Sequence, residues 1–445
     1  MRKLLVVLVI FSFIFSGFLA AQEAAKDAQP DKDKKDKPPT IETTVKELIE
    51  QIDEAESKIK QTIDALIKLG LSAKPLLEKA IQLNSNPKIK KHLEMVLDSY
   101  VWTALAECPL EPRQNHTAIW TGKEMIIWGG RGKKEYNNGA RYNPNTDEWT
   151  MLPESPLETR QNHTAIWIPS ASGLSSVAGE MIIWGGCSGT DKRYNDGARY
   201  NPKKDKWNKL PRCPVEGRDG HVAIWTGYEM IIWGGLDKEN KYPDVGISYA
   251  PTKNRWYKLP KSPIKGRVHA AAVWTDKEII IWGGRNNTEY YLDGAILDPV
   301  KRNWEKISEG PFNLDKESKT PSYPPAAIWN DKRMIIWGVN AQQDGIKSDI
   351  VSYSKSSDTW ELCHESPVRD KTYITTAWTG KEIIACAGQI ALYNPLMGSW
   401  QLLPQSRMNG TSGHSLVWTN KEIIIWGGAR MGTPLTEGVR HEVSE

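Results

Sequence analysis

Apolar residues are spaced along this chain in three different ways, and each spacing predicts different elements. Leu4–Ala21 is a charge-free, largely apolar run behind Arg2 and Lys3. Residues 22–40 then hold almost no large apolar side chain. From Val45 the apolar positions (Leu48, Ile49, Ile52, Ile59, Ile63, Leu66, Ile67) return at steps of three and four, the stripe of an amphipathic helix. From residue 101 onward the apolar runs shorten to four to six residues and are divided by Gly, Asn, Asp and Pro, a pattern of short strands and turns.

The first region reads as a secretory signal peptide, with a basic start, an apolar middle and the small residues Ala20 and Ala21 at the cleavage point. An uncleaved anchor is the alternative. No cysteine stands there to carry a lipid. Residues 22–40, rich in Lys, Asp and Pro, cannot bury enough surface to offset ordering entropy and read as a flexible tether. Residues 41–100 read as helices. Gly70 is a stop, Pro75 opens a second helix through Leu83, and Asn86-Pro87 opens a third. This stretch resembles a single HEAT-like repeat, which would need a surface to cover its apolar face.

Residues 101–445 are self-similar. RQNHTAIWTGKEMIIWGG (113–130) returns as RDGHVAIWTGYEMIIWGG (218–235) and RVHAAAVWTDKEIIIWGG (267–284), with further copies at 160–186, 324–339, 375–388 and 414–428. Most copies precede a second signature such as GARYNPNTDEWTMLP. Each unit offers three tryptophan slots; seven units make 21 places for 20 Trp, and the vacancy is Cys386. First and second Trp lie 8 apart in six units and 17 in the other, while third Trp and next first Trp lie 18 apart in six cases and 25 in one. Trp102 fits this series ahead of the first full unit, and the last unit lacks its third Trp. Strand 101–107 is therefore expected to complete the last sheet and close a ring, which removes open sheet edges.

Each unit reads as four strands: HTAIW, MIIWGG, GARYNP and EWTML in unit 1. Consecutive apolar residues in the first two fit sheets covered on both faces. A unit near 50 residues, with Gly-Gly after the second strand and Trp in the fourth, resembles the kelch repeat. The resemblance spans about 340 residues and implies an all-β, seven-bladed β-propeller behind a small helical segment. Six blades and a remnant is the alternative count.

Composition adds exclusions. With Lys+Arg 58 against Asp+Glu 54, bulk charge gives no reason to expect nucleic acid as a partner. No other segment is long enough to span a membrane. CxxC, HExxH, GxSxG, a phosphate-binding glycine loop and a calcium-type run of acids are all absent, so no metal, cofactor or catalytic set is expected. Of the five cysteines, Cys187 and Cys213 are a candidate disulfide for an exported chain, with Cys108 an alternative partner; Cys363 and Cys386 read as buried.

Candidate binding residues lie on the face carrying the inter-unit loops. Arg113, Arg160, Arg218 and Arg267 stand seven before the first Trp; His116, His163, His221 and His414 stand four before it, with His269 displaced by one. Tyr136, Tyr194, Tyr242 and Tyr290 follow the Gly-Gly pairs. These could form an anion- or carbohydrate-recognising mouth. Their repetition argues instead that they tie units together, since one ligand lacks that symmetry. A second candidate is a notch where the 4–5 connection is long and the loop of unit 6 is short, flanked by Phe312, Tyr323, Tyr290 and Tyr291. The expectation is a secreted or periplasmic monomer of the bacterial envelope, a non-enzymatic scaffold for a protein or glycan. The alternative is a carbohydrate-active kelch-type enzyme, a copper sugar oxidase or a sialic acid mutarotase, for which no residue could be aligned.

Overall fold

A computed structural model describes residues 74–83, isolated positions between 87 and 97, and most of 102–443; residues 170–178, 311–312, 315–324, 344–345, 364 and 369–373 lie outside the described set. The expected signal peptide and tether and most of the expected helical region fall outside it as well. Contacts divide the chain between Leu93 and Glu94. In the first part the described helix is Lys74–Leu83. Pro75 sits in its first turn, where a missing N–H leaves nothing unpaired, and Leu77 is fully buried.

The second part is a β-propeller. Among the described residues seven antiparallel sheets of four or five strands follow one another along the chain. Unit 1 is Thr117–Trp120, Met125–Trp128, Gly139–Asn143 and Glu148–Met151. The second strands (Met125–Trp128, Ile279–Trp282 and their counterparts) are buried at every position, since a neighbouring sheet covers each face. First strands touch in one closed circuit, from Thr117–Trp120 through Thr164–Ile168, Arg218–Trp225, Ala271–Trp274, Ala326–Trp329, Thr375–Trp378 and Ser415–Trp418 back to the start. The last sheet takes its outer strand from the other end of the propeller sequence: Thr103 pairs with Arg440 and Ala104 with Val439. Unit 5 departs from the pattern. Its second and third strands run as a long hairpin, Arg333–Gln343 with Ile346–Ser354, and Asn313–Leu314 of the long connection pairs with Ala341 and Gln342.

Tryptophan packing explains the sequence bookkeeping. The second-strand Trp of one unit packs on the fourth-strand Trp of the next: Trp128 on Trp207, Trp184 on Trp256, Trp233 on Trp304, Trp282 on Trp360, Trp337 on Trp400 and Trp426 on Trp149. The fourth-strand indole N–H reaches back to the preceding unit's exit, as in Trp207 to the Pro153 carbonyl (3.1 Å) and Trp256 to that of Pro211 (2.9 Å). Trp102 does the same, donating to the Pro404 carbonyl at 2.8 Å. At the boundary between units 6 and 7 the second-strand position is Cys386, fully buried in the same cluster as Trp102, and Trp102 keeps its tilted ring contact with His441, which stands where other units have the third-strand Tyr.

Turns are set by local chemistry. Tyr142, Tyr200, Tyr249 and Tyr353 each donate a hydroxyl hydrogen bond to the acid or amide five residues on (Asp147, Asp205, Asn254, Asp358). Those four residues hold φ values of 50–55°, a region Asp and Asn tolerate better than most side chains.

Candidate functional site

Antiparallel order places the loops after the second strands and the links between units at one end of the propeller, which contains the described residues singled out for binding. Two layers are found there, one buried and repeated, the other partly exposed and irregular from unit to unit.

The arginines belong to the buried layer; Arg113, Arg160, Arg218 and Arg267 are at most 3% exposed. Each side chain donates to the first Gly carbonyl of its own unit: Arg113 to Gly129 (3.1 Å), Arg160 to Gly185 (3.0 Å), Arg218 to Gly234 (3.3 Å) and Arg267 to Gly283 (3.1 Å). Each main-chain carbonyl accepts from the second Gly of another unit: Gly428 to Arg113, Gly130 to Arg160, Gly186 to Arg218 and Gly235 to Arg267. One arginine thus fastens two Gly-Gly loops. Burial lowers the Arg113 pKa to about 10, against the opposing charge of Glu111. Tyr136, Tyr194 and Tyr291 lie flat on Arg113, Arg160 and Arg267 at 3.9–4.2 Å. The stacked tyrosine of unit 4 is therefore Tyr291, not Tyr290. Its N–H bonds Gly284 just as that of Tyr136 bonds Gly130, because the loop of unit 4 carries one residue more.

The histidines form a second buried tie. His163 shares a hydrogen bond with Thr117 (2.8 Å), His221 with Thr164 (2.8 Å), His116 with Ser415 (2.9 Å) and His414 with Thr375 (3.0 Å). Each joins the first strands of two adjacent units. His116, His163 and His221 also meet the edge of the preceding second-strand Trp at 4.9–5.0 Å. Gly129 makes room for this: at φ 69°, an added Cβ there would lie 2.6 Å from His163. Burial pushes the pKa of His116 and His221 down to about 3 and that of His414 to about 4, and holds His163 well below its ordinary value. All four are neutral framework residues, so neither Arg nor His in the repeated slots is available to a ligand.

The sequence reading missed the hydroxyl partner, although its signal is present. The residue after the His slot is Ser or Thr wherever the next unit has His, and Val222, Ala271 and Ala326 where the next unit has Ala270, Pro325 and Ile374. A buried imidazole or hydroxyl left alone would lose its hydrogen bond without return to water, so the two disappear together.

The partly exposed layer is irregular. Arg193 donates to Asp219 at 2.5 Å, Tyr242 to Asn287 at 2.6 Å, and Asn115 to Gln161 at 3.3 Å. His269 stands where other units have Asn115, Asn162 or Gly220, in the same left-handed conformation (φ 56°), with its N–H bonded to the Gly220 carbonyl. Burial lowers its pKa, as does Arg285, while Asp219 opposes the shift. The links and loops of units 2–4 thus assemble Arg193, Asp219, Tyr242, His269 and Arg285 into one mixed-charge patch. Tyr290 is half-buried beside it, bridged to Arg285.

Of the expected notch, Phe312 and Tyr323 lie outside the described residues, and Tyr291 is the stacking partner of Arg267. The candidate disulfide is not formed: Cys187 and Cys213 are both free and buried. Cys187 is held by two backbone bonds to Gln161, while Cys213 is packed with Ile166, Trp184 and Ile232 between units 2 and 3. Among the described residues no group of three or more His, Cys, Asp or Glu could hold a metal ion, and no helix is long and apolar enough to cross a membrane.

No curated protein gives a significant match to the chain. The family model of the KLHDC2/KLHL20/DRC7 Kelch-repeats domain matches residues 115–338 and 172–388. Together the two spans cover more than half of the sequence, and they include four Gly-Gly loops, the ties of Arg160, Arg218 and Arg267, and four of the tryptophan pairs. The chain belongs to the kelch-repeat family.

Proposed function

We propose that this chain is an exported, non-enzymatic scaffold that binds a protein partner through the loop face of its propeller. Kelch repeats generally mediate protein–protein binding. The observation that carries the reading is the division of labour on that face. The side chains suited to acid–base or anion chemistry at repeated positions are consumed by the framework. The patch of Arg193, Asp219, Tyr242, His269 and Arg285 does not recur as a set from unit to unit, as recognition of a single, unsymmetrical partner requires. Export is supported by the basic pair, apolar run and small residues at 2–21.

The test is affinity capture from envelope extract with the chain 22–445, beside an Arg285→Ala/His269→Ala variant. The reading expects a partner held by the parent and lost from the variant, with the melting temperature unchanged. Equal capture by both would sink the loop-face reading, and detection of the chain in the cytosolic fraction would sink export.

A further inference from the structure

The fourth strands form the outer edges of the sheets, and their exposed side chains fall into two groups. Consider the positions three before, one before and two after the fourth-strand Trp. Unit 2 places Lys204, Lys206 and Lys209 there, unit 3 Lys253, Arg255 and Lys258, and unit 4 Lys301, Asn303 and Lys306. Eight of these nine are cations, and all eight are exposed. The same positions read Thr146, Glu148 and Met151 in unit 1, Ser357, Thr359 and Leu362 in unit 5, and Met397, Ser399 and Leu402 in unit 6, with no cation among them. The net charge of the whole chain is only +4, so the clustering is not a by-product of composition.

The cations are contiguous and mostly unneutralised. Trp256, between Arg255 and Lys258, bonds the Pro211 carbonyl two residues beyond Lys209, and Trp304 bonds that of Pro260 two residues beyond Lys258. The three edges are therefore laced together in series. Among the described residues Lys301 pairs with Asp298 and Lys306 with Glu309, while the six cations of units 2 and 3 form no ion pair. Lysine on an edge strand can serve only to prevent edge-to-edge pairing. That need is the same in every unit, yet units 1 and 6 leave Met151 and Leu402 exposed at 43% and 44%.

We propose that the outer edges of units 2, 3 and 4 form a docking surface for an acidic polysaccharide. Three features select the partner. Edges arranged around a closed circuit turn progressively away from one another, so a flat membrane meets one edge at a time, whereas a flexible linear polymer can follow all three. Tyr257 is the exposed ring within the tract, which offers a flat face for a sugar but no row of rings for stacking successive bases. The third feature, the export address, rests on the function proposed above. The surface is separate from the loop face, so one can fail without the other.

The probe is polygalacturonate, titrated against the chain 22–445 at low and moderate salt. The rim variant Lys206→Gln/Lys209→Gln/Arg255→Gln/Lys258→Gln is compared with a control of equal charge loss, Lys123→Gln/Lys332→Gln/Lys381→Gln/Lys421→Gln, on turns of other units. Loss of four contacting cations should weaken binding about tenfold or more and flatten its salt dependence, through fewer released counterions. The control should stay close to the parent, and a Lys→Arg version of the three rim lysines should retain binding. Equal weakening by rim and control variants, or no binding by the parent at low salt, would overturn the surface. Tighter binding of a single-stranded oligonucleotide, or of vesicles of phosphatidylcholine with phosphatidylglycerol, would overturn the polysaccharide as its partner.

Discussion

The propeller is held by two kinds of lock, and they fail differently around the ring. From unit 6 through 7, 1 and 2 to 3, every boundary carries a hydroxyl–histidine bond between first strands; from 3 to 6 none does. The tryptophan pair, farther out, is kept at six boundaries and thinned at the one between 6 and 7, where Cys386 meets Trp102. The polar lock disappears as a pair, Val222 with Ala270, Ala271 with Pro325 and Ala326 with Ile374. The apolar lock loses one side and keeps the other. Burial energetics account for the contrast. A stranded polar group pays its full desolvation penalty, whereas a truncated apolar contact gives up only part of its packing.

The largest expected effect is acid sensitivity on the histidine arc. Four imidazoles are held neutral in the folded state, with pKa values lowered by burial. An ordinary histidine in the unfolded chain titrates near 6.5. The folded state therefore binds fewer protons once pH drops below about 6.5, and unfolding is favoured by about 1.4 kcal/mol per histidine per pH unit until the folded value is reached. Urea unfolding between pH 7 and 5 should show a steep loss of stability. Replacing His116, His163, His221 and His414 together should flatten that slope; an unchanged slope would mean that other groups carry it.

Next in size is the tryptophan lock. Trp184→Ala, at a fully buried position facing Trp256, should cost about 3–5 kcal/mol. Cys386→Ala removes a single sulfur and should cost far less. Comparable losses from the two, measured by denaturant titration, would show that the boundary at Cys386 is repacked rather than thinned. The same burial pushes the Cys386 thiol up to about 12, so alkylation of this residue should await unfolding.

Much of this architecture was legible in the sequence, for identifiable reasons. Tryptophan spacing carried the repeat and the closing strand, because each Trp occupies a fixed place in a fixed unit and Trp102 kept the interval. The histidine slot was visible, but its partner lies in the preceding unit, and neighbours across a sheet boundary become apparent only when slots of successive units are compared. The arginine slot was visible too, and its repetition pointed to a tie, but not to what it ties. Its partners are main-chain carbonyls of Gly129, Gly185, Gly234 and Gly283, which any residue could present. Tyr290 was chosen over Tyr291 because loops of unequal length have no internal register; the backbone bond from Tyr291 to Gly284 supplies it. The mixed patch around His269 was seen in part, as a displaced histidine. It gained meaning when Asp219, Arg193 and Arg285 came to stand beside it from three units.

The central claim is that the repeated polar residues hold the ring and leave recognition to positions where the repeats differ. A double-mutant cycle on one tie tests it most directly, with Thr117→Val, His163→Ala and the double variant, which installs the Val–Ala combination already present at Val222 and Ala270. The account predicts that the double variant loses less stability than the two single losses added together, by about 1 kcal/mol. Strict additivity would contradict it, because the hydroxyl and the imidazole would then be stabilised independently and the belt would not join the units.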